Sequence, residues 1–567
     1  MYRKMLRSIT GVVSAVMSLN AIAAPAVPDS GALGRETQRQ MAPPMTPPAP
    51  EKMPIQAPSE QEEDAGDAVL VSGFVFEGAT LISQEELDTQ TADLIGQRLT
   101  LRQIESVARR IVDLYLRRGW VARAYVPAQE ITDGKVRIII LEAKLGAVRT
   151  EGEVPETELA LVGRFISARN PVGEQLSAKA LDRGILLAND LPGVKVTGVL
   201  SPGEQVGEVR LDAKVEPEPW IVGDVYVANH GSRAVDNGHQ YSAGVAIAPG
   251  NGQLVSVRAL VNRDLETILA RYGMPLGDDG ARLTLQGSYL HYELGRNFDP
   301  LDVEGYAQTY TASVAWPWLR SSAANLYLSA SIGHRRYDDD ILDTPIKRKR
   351  INALNLGING DRIDHFAGGG RWQGSLVLTA GNLDLSALPE DLALDRAGPE
   401  THGGYGNIEF MLSRLQWLNS STSFYASLSG QLAANNLDSS EKFALGGPNG
   451  IRAYPVFEAS GDSGWLLNLE LRRDFGNGWR ATAFLDTGGI RQNQDTWAGW
   501  NAGSDVPNTY HLSGAGFGLS WVRPDNFAFD AIIATPVGSH KGSLPGDKNQ
   551  DGSDRDARGW IKLTKFF

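Results

Sequence analysis

The sequence predicts a transmembrane β-barrel of about sixteen antiparallel strands, preceded by two small α+β domains. Three features carry this expectation: an export signal at the start, an arm of mixed helix and strand texture over residues 69–217, and a tract of alternating residues from 218 to 567.

The chain opens MYRKMLRSITGVVSAVMSLNAIAAPA, where Arg3, Lys4 and Arg7 precede an apolar run that ends in Ala21-Ile22-Ala23. That order reads as a secretory signal over residues 1–23, so the mature chain is expected to leave the cytoplasm. No later segment offers the 18 consecutive apolar residues of a membrane helix. With 54 basic residues against 67 acidic ones, the formal net charge is -13, which argues against a nucleic-acid surface. The absence of cysteine excludes disulfides, thiolate metal sites and cysteine nucleophiles.

Residues 24–68 follow the signal. Their proline-rich stretch MAPPMTPPAPEKMPIQAP carries Pro43, Pro44, Pro47, Pro48, Pro50, Pro54 and Pro58, which deny it a helix or a central strand and favour an extended linker. A short helix is expected ahead of it around residues 30–41, in GALGRETQRQ.

From Val69 the texture changes. A strand in VLVSGFVFEG leads to Ser83 and Glu86 at capping-box spacing, and Thr100 with Gln103 opens a second helix. Ile104, Val107, Ala108, Ile111 and Tyr115 share one face of that helix, and Gly119 can end it. Two strands joined at Asp133-Gly134 complete a first unit over 69–146. A second, less regular unit over 147–217 repeats helix, turn and paired strands in LSAKALDRGILLAND and LPGVKVTGVLSPGEQVGEVRLDAKV. An exposed sheet edge near Val194–Val199 or Val206–Val215 is expected to take up an extended partner segment, with Val194, Val196, Val199, Val209 and Leu211 as candidate contacts.

Helical periodicity stops after Glu218. In the segment from Trp465, Leu467, Leu469 and Leu471 share one face, while Asn468, Glu470 and Arg472 share the other. In the segment from Gly514, Ala515, Phe517, Leu519 and Trp521 oppose Gly514, Gly516, Gly518 and Ser520. A soluble sandwich would need a partner layer for every apolar face, whereas a membrane barrel meets lipid outside and water inside. Sixteen segments begin near 220, 239, 253, 265, 281, 305, 324, 345, 370, 404, 422, 465, 479, 511, 526 and 559. Each is expected to contribute roughly 9 to 11 residues to a tilted strand.

The loop GGPNGIRAYPVFEASGDSGW, residues 446–465, raises a separate question. GDSG suggests a serine nucleophile at Ser463, but no local motif supplies the histidine and carboxylate of a triad, and a tight turn accounts for the same letters. Arg452 is different, because a guanidinium folded back into a barrel lumen would need a carboxylate. Asp486 is the candidate, sharing a strand face with Thr482 and Phe484. An extracellular arginine and a luminal aspartate without contact remain the alternative on spacing alone. DKNQDGSD at 547–554 has the start of a calcium loop but Arg558 at its twelfth position, so a solvated extracellular hairpin is expected. Asp338, Asp339 and Asp340 read as a solvated turn or as carboxylates meeting cations at a lipopolysaccharide surface. No phosphate loop or dinucleotide fingerprint is present, and no cofactor, metal or enzymatic activity is expected.

FVFEG (74–78), GWVARAYVPAQEITDGKVRI (119–138), NDLPGVKV (189–196), SPGEQVGEVRL (201–211), VANHGSR (227–233), GGPNGIRAYP (446–455), FLDTG (484–488) and the final Phe567 occur in an order that resembles the TpsB family, outer-membrane transporters of two-partner secretion. The resemblance implies two periplasmic POTRA domains, over 69–146 and 147–217, and a sixteen-stranded barrel over 218–567 ending at Phe567. It implies a pore-inserted loop over about 433–464, whose motif maps onto Gly450, Ile451, Arg452 and Tyr454 and meets a strand motif at Phe484, Asp486 and Gly488. Ala453 stands where the family commonly has glycine. The resemblance further implies a plug helix before the linker, ATP-independent export of a TpsA-like exoprotein of haemolysin or filamentous-adhesin type bound through the POTRA domains, contact with outer-membrane lipid and lipopolysaccharide, assembly by the barrel-assembly machinery, and function as a monomer. An outer-membrane assembly factor of the same superfamily and a passive porin are the alternatives.

Overall fold

A computed structural model describes residues 28–41, 68–131, 133–295, 300–502, 504–523 and 526–567. The expected signal over 1–23 and the proline-rich tract over 43–58 lie outside the described residues.

In the first arm domain, strand Gly73–Glu77 pairs in parallel with Lys135–Glu142, which pairs antiparallel with Ala122–Tyr125. The helix Leu101–Arg118 starts in a complete capping box: the Thr100 hydroxyl accepts Gln103 N–H at 3.3 Å, and Gln103 Oε1 accepts Thr100 N–H at 2.9 Å. Gly119 ends it in the left-handed conformation at φ 90°, which only glycine adopts freely. Val107, Ile111 and Tyr115 bury its inner face against Val136, Ile138 and Ile140 of the sheet.

The second domain has strands Lys144–Gly152, Glu208–Pro217 and Val194–Pro202, with Glu208–Pro217 in the middle, and helices Glu156–Ser167 and Ala178–Asn189. This corrects the expected cargo contacts. Val194, Val196 and Leu211 are buried in the domain core, because period-two alternation turns them inward toward the helices. Val209 packs partly covered against the same core, and Val199 alone of the five is exposed. Glu208–Pro217 has a partner on both sides, so of the two expected stretches Val194–Pro202 is the one that lies at an edge, with Lys144–Gly152 at the opposite edge of the sheet.

The remaining chain forms a closed barrel of sixteen strands. They are β1 (Ile221–Ala228), β2 (Gln240–Gly250), β3 (Gln253–Val261), β4 (Leu265–Leu276), β5 (Ala281–Glu293) and β6 (Val303–Arg320). These continue with β7 (Ala324–Ile341), β8 (Thr344–Asp364), β9 (Gly370–Asp384), β10 (Gly403–Asn419) and β11 (Thr422–Ala433). The circle ends with β12 (Ser463–Gly476), β13 (Trp479–Arg491), β14 (Thr509–Arg523), β15 (Phe527–Pro536) and β16 (Arg558–Phe566). Every expected strand start lies within two residues of the observed one. The lengths differ: β8 has 21 residues and β7 has 18, because only the lipid-crossing part of a strand is held to membrane thickness and a hairpin can continue into water.

The outer face carries exposed Ile332, Leu412, Phe517 and Ile533, as a lipid-facing wall requires. Trp479 and Trp521 stack at 5.9 Å near the turns on the arm's side, and Tyr289 and Tyr306 lie 6.3 Å apart toward the opposite rim. Closure joins β16 to β1 from Lys562 opposite Ala228 to Phe566 opposite Asp224. Phe567 adds two backbone bonds with Gly223, at 3.0 and 2.8 Å.

The arm meets the barrel through charges. Asp279, in the turn between β4 and β5, pairs with Arg183 at 3.0 Å and Arg169 at 2.6 Å, and Asp190 pairs with Arg320 at 2.8 Å.

Two acidic stretches differ from expectation. Asp338, Asp339 and Asp340 lie on β7 and not in a turn: Asp338 and Asp340 pair with Arg348, while buried Asp339 accepts Tyr292 Oη–H at 2.8 Å. Asn549 of DKNQDGSD is buried, and Gln550 N–H donates to Glu458 Oε2 at 2.9 Å, so this segment folds onto the loop between β11 and β12 instead of standing free in solvent.

Candidate functional site

The segment joining β11 to β12 enters the lumen. Its strands Phe443–Leu445 and Ala459–Gly461 form a short hairpin, and Gly446 and Gly447 turn the chain with φ of 93° and 82°. At the tip, Ile451, Ala453 and Tyr454 are buried against Phe484, Leu512 and Ala534 of the wall.

Alternation on β12 and β13 presents Asn468 opposite Asp486 and Glu470 opposite Phe484 on the luminal face. Arg452 reaches this patch. Its Nε donates to Asp486 Oδ2 at 2.9 Å, its Nη2 to Oδ1 at 2.7 Å, and its backbone N–H to Oδ2 at 3.1 Å. Asn468 Nδ2 adds a bond to Oδ1 at 2.7 Å, so the fully buried Asp486 carboxylate accepts four hydrogen bonds. Arg452 Nη1 donates to Glu470 Oε1 at 2.8 Å, and Arg472 takes the other oxygen of that carboxylate at 2.7 Å. The guanidinium carbon stands 3.5 Å from the Phe484 ring centroid, within cation–π distance. Behind it, Trp560 Nε1 donates to Arg452 O at 2.8 Å, and Gly450 O accepts from Asn468 at 3.3 Å.

The glycine-lined face of β14 makes room for this tip. A Cβ at Gly514 would lie 2.4 Å from the Ala453 Cβ, inside van der Waals contact. Ala453 itself takes no positive φ, so alanine is accommodated where the family commonly has glycine. Gly488 likewise leaves space for Leu445, whose side chain would stand 2.9 Å from an added Cβ. Tyr454 meets His540 edge-on at 5.4 Å, and His540 Nε2 lies 2.5 Å from Glu458 Oε1.

The GDSG letters serve the same anchorage. Asp462 is buried, pairs with Lys442 at 2.8 Å and accepts Leu437 N–H at 3.1 Å, while Ser463 Oγ accepts Ala433 N–H at 3.0 Å. A serine and an aspartate occupied in this way hold a loop to a wall.

The helix Ser30–Met41, here α1, lies inside the barrel. Gln38 donates to Ser288 on β5 at 3.0 Å and Thr309 on β6 at 2.9 Å, and Ser30 N–H donates to Asp339 on β7 at 2.8 Å. Arg35 pairs with Glu409 on β10 and donates to Gln431 on β11 at 3.2 Å. A single 12-residue helix can touch so many strands of one ring only from within. Asp29 caps it, accepting Ala32 N–H at 3.0 Å, and also pairs with Lys349 of β8 at 2.8 Å. Buried Lys349 pairs at 2.7 Å with Asp438 of the luminal loop, and Arg35 donates to Lys442 O at 3.0 Å. Helix, loop and wall are thereby tied together.

Sequence reasoning did not reach Lys349, Asp29, Asp438 or Arg35, whose contacts join positions far apart along the chain. Glu470 and Asn468 were within reach, because they share the polar face of the strand neighbouring Asp486.

Residues 260–520 match the family described as haemolysin secretion/activation protein ShlB/FhaC/HecB, and residues 69–143 match the ShlB-type POTRA domain. The heme/hemopexin transporter protein HuxB of Haemophilus influenzae is 26% identical, across 99% of this chain and 100% of its own length. The outer membrane transporter CdiB of Escherichia coli is 25% identical, across 84% of this chain and 83% of its own. The solved structure of CdiB from Escherichia coli shares the fold with a TM-score of 0.70 at 20% identity, covering 96% of this chain and 100% of that one. The function at this level is transport or assembly at the outer membrane, with the arm in the periplasm. Barrel, arm and these likenesses agree that the chain is a TpsB-type, ShlB/FhaC-like outer-membrane transporter with POTRA domains.

Proposed function

We propose that the protein recognises a β-rich exoprotein of TpsA type in the periplasm and passes it, extended, through the barrel to the cell surface without ATP. The observation that carries this reading is a lumen occupied by two separate pieces of chain, α1 and the loop from β11 to β12, each tied to the wall by hydrogen bonds and ion pairs as well as by apolar packing. A passive pore has no need of such an occupant together with a periplasmic arm.

Recognition begins at the arm. The edge strand Val194–Pro202 pairs on one side only, and Val199 and Leu200 are exposed along it. An extended segment of the exoprotein can add as a further strand there, with main-chain bonds supplying affinity and exposed side chains supplying preference. The arm's ion pairs to the barrel turns hold that edge in a set direction relative to the pore. Folding of the exoprotein outside then makes passage directional.

The test is deletion of the gene, followed by quantification of large proteins in the medium and on the cell surface. One exoprotein, encoded close by, is expected to remain in the periplasm and be degraded. Unchanged levels of every large surface and secreted protein would reject the transporter reading. General loss of barrel proteins from the outer membrane would favour an assembly factor instead.

A further inference from the structure

On the outer wall, at the rim away from the arm, β4, β5 and β6 bring together Glu266, His291, Glu293 and Glu304. Register places His291 opposite Glu266 on one side and Tyr306 on the other, and Glu293 opposite Glu304. These side chains face away from the lumen, because the intervening Leu290, Tyr292 and Val303 are the buried, inward ones. They lie at and above the level of Tyr289 and Tyr306, so the cluster sits among headgroups and not in hydrocarbon.

Two carboxylates directly opposite each other on neighbouring strands repel. Among the described residues, no lysine or arginine forms an ion pair with Glu266, Glu293 or Glu304; the imidazole of His291 is the group they surround. Its ring is set by stacking on Tyr306, with centroids 4.5 Å apart and planes inclined by 22°. Its Nε2 is shielded from solvent, lacks a hydrogen-bond partner and stands 3.6 Å from Glu304 Oε2. That separation is too long for a hydrogen bond. It is close to the roughly 3.4 Å expected between two ligands that hold one tetrahedral ion at about 2.1 Å each. Ligand atoms of His291, Glu293 and Glu304 all lie within 4.8 Å of one another.

We propose that His291, Glu293 and Glu304 form a divalent-cation site on the outer rim of the barrel. One imidazole nitrogen with two carboxylates suits a borderline ion such as Zn2+, whereas Mg2+ and Ca2+ prefer oxygen-only sets. The ion neutralises the facing pair Glu293 and Glu304 and clamps the end of β5 to the start of β6. Glu266, 3.9 Å from His291 Nδ1, adds a third negative charge beside the ring. This inference does not depend on the transport reading.

The experiment is equilibrium dialysis of the full-length, chelator-stripped protein in detergent against Zn2+ alone, with excess Mg2+ or Ca2+ as competitor. Wild type is expected to retain one equivalent, with affinity falling at least tenfold in His291→Ala and Glu304→Gln and unchanged in His365→Ala, a histidine in the turn between β8 and β9. Glu304→Gln preserves shape, so it carries the test if His291→Ala fails to assemble; heat-dependent gel mobility checks both. No stoichiometric uptake by wild type, wild-type affinity in assembled Glu304→Gln, or displacement of Zn2+ by equimolar Mg2+ would overturn the site.

Discussion

Arg452 and Asp486 meet through both guanidinium edge nitrogens and the arginine's own backbone N–H, at 2.9, 2.7 and 3.1 Å. An exposed ion pair contributes little, but removal of one partner from a buried pair costs about 3–5 kcal/mol because the other charge stays buried and unpaired. Arg452→Ala and Asp486→Ala are each expected to assemble in the outer membrane and lose most secretion. The double variant should lose little more than either single one. The measurement is exoprotein released per heat-modifiable transporter; strictly additive losses would show that the two residues act separately.

Gly514 offers a way to disturb the loop without touching a charge. A valine there would place its Cβ against Ala453 and push the tip off the wall, at about 1–3 kcal/mol for overpacking. Gly514→Val is expected to reproduce the Asp486→Ala secretion defect while Gly514→Ala shows a milder one. Protease cleavage at the tip in intact cells, compared among the three, reads the loop's displacement.

Lys349 stands between Asp29 before α1 and Asp438 of the luminal loop. Lys349→Met leaves two facing carboxylates without their cation, a loss of about 3–5 kcal/mol by the same argument. We expect the variant to show larger and more frequent pore openings in planar bilayers. Asp29→Asn combined with Asp438→Asn in the Lys349→Met background should restore a quiet channel, since both carboxylates that paired with Lys349 are then neutral.

In the arm, Glu142 accepts Thr80 and Leu81 N–H at 2.7 Å each and Tyr115 Oη–H at 2.8 Å. Burial pushes this carboxyl up, but the hydrogen bonds from Thr80, Leu81 and Tyr115 outweigh it and hold the group below its ordinary value. A carboxyl lowered in the folded state adds stability above its unfolded pKa of about 4.3, and that contribution is lost as pH falls through the folded value. Each arm domain has its own core, so fragment 69–217 is expected to fold alone. Glu142→Gln should cost it about 1 kcal/mol at pH 7, with the discount due to a partly solvated group. Denaturant titrations at pH 7 and pH 3 test this: the gap between wild type and variant should close at the lower pH.

Local patterns determined much of this protein before any tertiary contact was known. The capping box at Thr100 and Gln103, the stop at Gly119 and all sixteen strand starts follow from forces acting within a few residues: orphan amides seeking acceptors, glycine's access to positive φ, and the alternation of a two-faced strand. The same alternation turns Asp486 inward, because an aspartate facing lipid is penalised. Tertiary structure decided what periodicity cannot encode. Val194–Pro202 lies at an edge of the second domain's sheet and Glu208–Pro217 does not, because Glu208–Pro217 is inserted between two neighbours, a matter of strand order. The acidic run Asp338–Asp340 became part of a long hairpin because Arg348 pairs across it. The lock formed by Asp29, Lys349 and Asp438 exists only once the barrel closes around α1, since charges far apart along the chain interact through distance in space.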